Sequence, residues 1–286
     1  MDDNGLFLKP FPINELNFNV RRDSKSANFA SIASNSEYSM STTARVAAPQ
    51  AVVLIKNHLS IRHLRSAALL ASQARRMESD VTGPVEWTPA SQDRWDECAA
   101  LADACVFTAV SGLDAAINEL YINACTDNVH DGLSAPLRAQ LAALWSQGKG
   151  DGKGIGNRKE FPEILYKYDR ALNCADAVNG ALLVRPSIDD AMLLIETRNA
   201  LTHAREKFQP AAPQGPPELW SDLERRLRAR VAPCVLTPTS AMYLWCRVLG
   251  APLAEWAFIT AHEYASAAYE ALGATNIFAS ERNRLA

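Results

Sequence analysis

The sequence lacks an excess of charge of either sign. Its 286 residues include 29 lysines and arginines against 32 aspartates and glutamates, which gives a formal net charge of −3. A chain with this balance has no overall electrostatic attraction to the phosphate backbone of nucleic acids. The composition therefore disfavours a high-affinity nucleic-acid binder, although it leaves room for a local basic groove.

The six cysteines show no Cys-x-x-Cys spacing. Cys98 and Cys105 are seven residues apart in a predicted helix, so they share one stripe and are expected to be small core residues. Neither a secretory signal nor an apolar run of membrane-spanning length is evident. We therefore expect a protein of the reducing cytoplasm that does not bind membranes.

Phosphate-loop and zinc motifs are also missing. The Gly-rich stretch Gly148–Asn157 is not a phosphate-binding loop, because its Lys153 is followed by glycine and no strand precedes it. His262 and Glu263 do not form a zinc motif, because Ser266 stands where the second histidine is needed. No cofactor or metal is therefore expected. The basic residues in and after the Gly-rich stretch are candidate RNA-backbone contacts, with an ordinary mobile loop as the alternative: Lys153, Arg158 and Lys159.

What the sequence does contain is helical periodicity, with no convincing strand pattern. Its apolar fraction of 48% is ample for a core. We predict an all-α fold, a helical bundle of about seven or eight helices. The predicted helices span residues 58–79, 92–123, 136–147, 160–177, 186–207, 218–231, 239–249 and 253–272.

Composition also suggests how the chain is divided. Residues 1–50 are polar and rich in turn-forming residues, which predicts an extended or disordered N-terminal arm. Residues 51–207 are predicted to form the main helical domain, and residues 208–217 a Pro-rich linker. Residues 218–286 are predicted to supply helices packed on that core. Ser91 is the expected N-cap of the second helix, and Gly273 is the expected C-cap of the last one.

The helix over residues 186–207 is the most informative stretch. Ser187 is a suitable N-cap, and Asp189 and Asp190 place negative charge in the first turn, where the helix dipole favours it. At about 100° per residue, Glu196, Asn199 and His203 share one stripe. The adjacent stripe carries Arg198, Thr202 and Arg205.

This set of side chains suits cleavage of an RNA phosphodiester. An unperturbed imidazole has a pKa of about 6.5, so His203 can take or give a proton near neutral pH. Arg198 carries a planar guanidinium that matches a phosphate oxyanion, and Asn199 can orient the imidazole or hold a phosphate oxygen. Glu196 and Thr202 are supporting candidates, and Arg205 is a further RNA contact.

The separation of Arg198 and His203 restricts how they can act together. Five residues along a helix turn the two side chains about 140° apart, so they cannot form a tight pair on one straight helix. They could converge on a substrate in a groove, or be completed by a second copy of the chain across a two-fold axis. From the facing helix 92–123, Asn118 or Glu119 is expected to support the site, with an ordinary buried polar bond as the alternative.

The run Arg198-Asn199-Ala200-Leu201-Thr202-His203 resembles the Arg-x(4–6)-His signature of HEPN domains (higher eukaryotes and prokaryotes nucleotide-binding). The helix around Ser111–Tyr121 is similar to the first helix of those domains, so the resemblance covers about residues 91–207. One subgroup continues His-x-Tyr, but Arg205 stands in the tyrosine position here. An activity that needs that tyrosine is therefore not implied.

The resemblance implies a small α-helical bundle and a metal-independent endoribonuclease that leaves a 2′,3′-cyclic phosphate. It also implies a homodimer in which the arginine and histidine of two protomers meet, and a place in a prokaryotic defence or toxin–antitoxin system with an antitoxin or regulatory partner. The alternative is a non-catalytic helical interaction or regulatory module, in which Arg198 and His203 make internal structural bonds. The two can be distinguished because an enzyme needs both side chains exposed in one groove.

Overall fold

The computed structural model describes residues 58–83, 85–126, 132–147, 162–182, 184–207, 218–237 and 247–280, without the side chains of residues 203–207 and 218–221. All of these residues belong to one unit of the chain, residues 55–286. The predicted N-terminal arm, the Gly-rich stretch, the Pro-rich linker and most of the predicted helix 239–249 lie outside the described residues.

Within the described residues the fold consists of seven α-helices and contains no strand, which confirms the all-α prediction. The helices are α1 (Leu59–Ser79), α2 (Pro89–Ala124), α3 (Ala135–Gln147), α4 (Glu163–Asn179), α5 (Ile188–Lys207), α6 (Glu218–Arg228) and α7 (Ala251–Ala271). Helix α5 begins directly after Ser187, as its sequence predicts.

Helix α2 begins earlier than its sequence predicts. Ser91 is not its N-cap, so that prediction is wrong. Thr88 is the N-cap, Pro89 occupies the first helical position, and Ser91 is the third residue of the helix. The Thr88 hydroxyl accepts from the Ser91 N–H at 3.2 Å, and the Ser91 hydroxyl accepts from the Thr88 N–H at 2.8 Å. This reciprocal capping box satisfies two backbone donors that a bare helix start would leave unpaired.

Helices α1, α2 and α7 pack together as the centre of the bundle. The Cys105 sulfur lies at their junction, 3.2 Å from the carbonyl oxygens of Ala67 on α1 and Ala254 on α7. Cys98 and Cys105 are both fully buried, which confirms that they are core residues. Gly112 lets α1 approach α2 closely, since an added Cβ there would lie 2.9 Å from a Leu64 methyl carbon.

Three buried tyrosines form hydrogen bonds between α2 and its neighbours. Tyr121 donates its hydroxyl to the Lys167 carbonyl on α4 at 3.1 Å. Tyr168 of α4 donates back to the Leu113 carbonyl at 3.0 Å. Tyr269 of α7 donates to the Ala116 carbonyl at 2.8 Å. Each phenol is hydrogen-bonded, so its burial leaves no unmet donor in the core.

The start of α7 is fixed by a buried carboxylate. Glu78, at the end of α1, accepts from the Ala251 N–H at 2.7 Å, where α7 begins. Gly250 is the N-cap of α7 and packs against both Glu78 and Cys234. At the other end of α7, Gly273 adopts a left-handed φ of 68°, and Ala274 donates its N–H to the Tyr269 carbonyl at 2.9 Å. The C-cap of α7 is Leu272, so the prediction of Gly273 is wrong by one residue; Gly273 follows the C-cap, where glycine takes the left-handed conformation without strain.

Helix α2 is long and apolar enough to cross a membrane, since an 18-residue window in it has a mean hydropathy of 1.5. The expectation that no segment has this property is therefore wrong. Half of that window is buried inside the bundle, where α2 packs against α1 and α7. A central bundle helix meets the same criteria of length and composition, because most of its surface faces other helices.

Asp103 of α2 is a charged residue in an unfavourable place. Its Oδ1 atom is buried and makes no hydrogen bond, and burial raises the pKa of the carboxyl from its ordinary value of 3.8 to about 6. A carboxyl that binds its proton more tightly in the folded state costs stability above pH 6, and this cost disappears as the pH falls below 4.

Replacing Asp103 with asparagine should therefore stabilise the protein at neutral pH. Because the carboxyl keeps some exposure, we expect a gain of about 1 kcal/mol at pH 7.5, or roughly 3 °C in Tm. At pH 4 the variant should have the same Tm as the wild type. Thermal melts at the two pH values measure this, and Asp96→Asn on the exposed face of α2 is the control. An equal gain at both pH values would show that the charge of Asp103 is not responsible.

Candidate functional site

A cavity of about 320 Å³ opens between α2, α4 and α5. One wall comes from the middle of α2, one from the start of α4, and one from the centre of α5. Its lining combines apolar side chains with four that carry charge. The lining residues are Val110, Ser111, Asp114, Pro162, Glu163, Ile164, Lys167, Ile195, Arg198 and Asn199.

Arg198 reaches this cavity because α5 is anchored just before it. Leu194 and Ile195 are buried, and the Thr197 hydroxyl is buried against the Leu193 carbonyl at 2.7 Å. The next residue, Arg198, is half-buried, and its Nε is shielded from solvent without a hydrogen-bond partner. No carboxylate among the described residues forms an ion pair with it. A guanidinium in this state has capacity to bind an anion.

Other arginines near α5 are engaged with carboxylates. Arg226 of α6 pairs with Glu196, and Arg230 pairs with Asp190. Arg185, in the connection before α5, lies 2.8 Å from an Asp169 oxygen. The first two pairs connect α5 to α6 and to the residues that follow it. The third pair holds the segment that leads into α5. Arg198 therefore differs from its neighbours in leaving its guanidinium available.

Lys167 of α4 is a buried cation that the sequence reasoning missed. Its side chain is only 7% exposed. Its ammonium donates to Asn118 Oδ1 at 3.0 Å and lies 3.5 Å from carboxylate oxygens of both Asp114 and Glu163. A buried ammonium is tolerated only when its charge is balanced in this way. One sequence signal was available, since Lys167 lies three residues after Ile164 and four before Ala171, on one helical stripe with these apolar residues.

Of the two α2 residues expected to support the site, Asn118 faces the cavity residues. Its amide oxygen accepts from Lys167, and its Nδ2 donates to Asp114 Oδ1 at 3.1 Å. Glu119 points elsewhere: it accepts from the Ser60 N–H at 2.9 Å and from the Ser60 hydroxyl at 2.6 Å. Glu119 thereby binds the first turn of α1, where a carboxylate satisfies unpaired backbone N–H groups.

The remaining predicted site residues fall into four groups. Asn199 is exposed and lines the cavity beside Arg198. Glu196 pairs with Arg226 on α6, and the Thr202 hydroxyl donates to the Arg198 carbonyl at 2.8 Å, so both make internal bonds. His203 and Arg205 belong to α5, but their side chains are not among those described. The predicted RNA contacts Lys153, Arg158 and Lys159 lie outside the described residues.

The site thus brings together one available guanidinium, one charge-balanced ammonium, two carboxylates and an amide around a single cavity. Within the described part of the chain, no group of three or more His, Cys, Asp or Glu side chains is placed to hold a metal ion. Comparison of the chain with protein-family models, with curated proteins and with solved structures finds no match.

Proposed function

We propose that the protein is a HEPN-like, metal-independent endoribonuclease with Arg198, Asn199 and His203 as its catalytic residues. The observation that carries the proposal is the state of Arg198: its guanidinium has no ion-pair partner among the described residues, its Nε is buried, and it lines an open cavity. Such a cation is prepared to bind a phosphate oxygen, since no competing carboxylate must first be displaced.

The chemistry follows from the residue types. A general base removes the proton of the RNA 2′-hydroxyl, and the 2′-oxygen attacks the adjacent phosphorus. The bond from phosphorus to the 5′-oxygen breaks, and a general acid protonates that oxygen. The products are a 2′,3′-cyclic phosphate and a 5′-hydroxyl. His203 takes one of the two proton-transfer roles, and Arg198 stabilises the charge on the phosphate. Asn199 positions either His203 or Arg198.

The separation of five residues between Arg198 and His203 favours a homodimer with a composite site. On one straight helix the two side chains leave the axis about 140° apart. A second protomer related by a two-fold axis can bring its own histidine to the arginine of the first. Light scattering should therefore report a dimer at assay concentration, and a strictly monomeric active enzyme would contradict this arrangement.

The test is cleavage of total and synthetic RNA by the purified protein in EDTA, beside the variants Arg198→Ala and His203→Ala. We expect cleavage that survives EDTA and falls by about a hundredfold or more in each variant, because removal of one transition-state contact or proton donor has this effect. Arg62→Ala, on the exposed face of α1, is the control for a lost surface cation.

Two outcomes would contradict the ribonuclease. Cleavage that persists in both variants would mean contamination or a different site. Absence of cleavage over a broad panel of RNAs would favour the second candidate, a non-catalytic interaction or regulatory module. One observation supports that candidate: Glu196, just before the motif, and Thr202, within it, make internal bonds to Arg226 and to the helix backbone.

A further inference from the structure

The cavity presents two chemically different ends to a ligand. At the α5 end, Arg198 offers a guanidinium that forms no ion pair with any described residue, and Asn199 offers an amide beside it. At the α2 and α4 end, Asp114 and Glu163 offer carboxylate oxygens. The formal charges of the four ionic lining side chains cancel. A ligand that satisfies both ends therefore needs an anionic group and, separately, a hydrogen-bond donor.

Asp114 is held so that one of its oxygens remains available. Its Oδ1 accepts from Asn118 Nδ2 at 3.1 Å and lies 3.5 Å from the Lys167 ammonium. No described residue donates to its Oδ2, and the side chain is 44% exposed. Lys167 and Asn118 therefore act as positioning residues, and Asp114 is left as an oriented acceptor. Glu163 is more exposed, at 64%, and occupies the first turn of α4.

The apolar part of the lining is small and aliphatic. Val110, Ile164 and Ile195 each come from a different helix, and Val110 and Ile195 are almost completely buried, so only a small aliphatic surface is open to a ligand. A nucleobase can place part of its ring against this surface and direct its polar edge toward a hydrogen-bonding group. In a nucleotide the sugar separates the base from the phosphate. The phosphate is the group that Arg198 can bind.

We propose that this cavity binds one nucleotide unit, with its phosphate at Arg198 and an exocyclic amino group of its base at Asp114. Arg198 is taken as the phosphate contact from the proposed function, on which this inference rests. A carboxylate accepts from an amino group but repels a carbonyl oxygen in the same position. The cavity therefore selects cytosine over uracil, and Asp114 determines that specificity.

The sharpest probes are CMP and UMP, which have the same shape and differ where the base carries an amino group or a carbonyl. Binding to the full chain is measured by calorimetry or by NMR titration. CMP should bind roughly tenfold more tightly than UMP, the effect of one charge-assisted hydrogen bond. Inorganic phosphate should compete with both nucleotides, and Arg198→Gln should weaken both to the same degree.

Asp114→Asn provides the specific variant. Asparagine keeps the acceptor for Asn118, and Lys167 retains Asn118 and Glu163 as partners, so the fold should survive. Because an amide can donate to a carbonyl, the preference for CMP should shrink to within about twofold or reverse. Asp96→Asn, an exposed change on the same helix, should leave the preference intact.

Equal affinities for CMP and UMP would overturn the inference, as would an unchanged preference in Asp114→Asn. Oligo(C) and oligo(U) titrated in parallel distinguish an RNA chain from a free nucleotide as the ligand. The outcome is separable from the ribonuclease test. A preference for CMP without RNA cleavage would retain the cavity site and reject the enzyme, whereas cleavage without a base preference would do the opposite.

Discussion

In the proposed ribonuclease, replacing Arg198 with lysine should lower RNA cleavage by at least about tenfold, although the positive charge is retained. A guanidinium binds two phosphate oxygens through a planar pair of N–H groups, whereas an ammonium is a compact point charge without that geometry. The buried Nε of Arg198 makes the loss larger, since a lysine side chain has no donor at that depth. Single-turnover cleavage of one defined RNA measures the effect directly.

Arg198→Ala and Arg185→Lys are the comparison variants for this result. The alanine variant removes charge and donors together, so it should lose more than the lysine variant, about a hundredfold or more. Arg185 is held by Asp169 and Asp176, away from the residues that line the cavity, so its conversion to lysine should change cleavage less than about twofold. If Arg198→Lys cleaved RNA as fast as the wild type, Arg198 would supply only charge, and the proposed bidentate contact would be wrong.

Replacing Gly250 with alanine should be among the most destabilising single changes in the bundle. The new methyl group would lie 2.7 Å from both Cβ and Sγ of Cys234, and it would also collide with a carboxylate oxygen of Glu78. The φ of −172° at Gly250 is extended backbone that any residue adopts, so crowding alone causes the loss. We expect a cost of about 3 kcal/mol, because Glu78 must give up its bond to the Ala251 N–H or the start of α7 must move.

Thermal unfolding tests this expectation, and the Tm should fall by roughly 6–12 °C. Gly83→Ala is the matched control, because an added Cβ there meets no atom within 4 Å. It should shift the free energy of unfolding by less than about 0.5 kcal/mol. Similar losses in the two variants would show that the tight packing of Glu78, Cys234 and Gly250 is not the cause.

Much of the helical architecture could be predicted from local signals. The seven-residue spacing of Cys98 and Cys105 predicted their burial, and Gly273 marked the end of α7. The predicted start of α2 is too late because Pro89 lies close after Gly83 and Pro84, and a proline in such a stretch is as typical of a connection as of the first helical position. The capping box of Thr88 and Ser91 indicates the correct start of the helix.

The candidate site could be predicted only in part, since it depends on contacts that are distant in sequence. The motif identified Arg198 and Asn199, which do line one cavity. Nothing in the motif shows that Asp114 and Lys167 come from two other helices to complete that cavity. Likewise, the availability of Arg198 depends on which carboxylates are taken by other arginines, as Glu196 is taken by Arg226. Helical periodicity places a side chain on a face but does not identify its partner.

The packing of α7 has a consequence for how this protein is made. Cys105 lies at the junction of α1, α2 and α7, yet its α7 neighbour Ala254 is 149 residues further along the chain. During synthesis α1 and α2 leave the ribosome long before α7 exists, so the apolar window of α2 lacks its α7 contacts in that interval. A nascent chain stalled before residue 251 should thus bind chaperones. That binding should end once α7 has been translated.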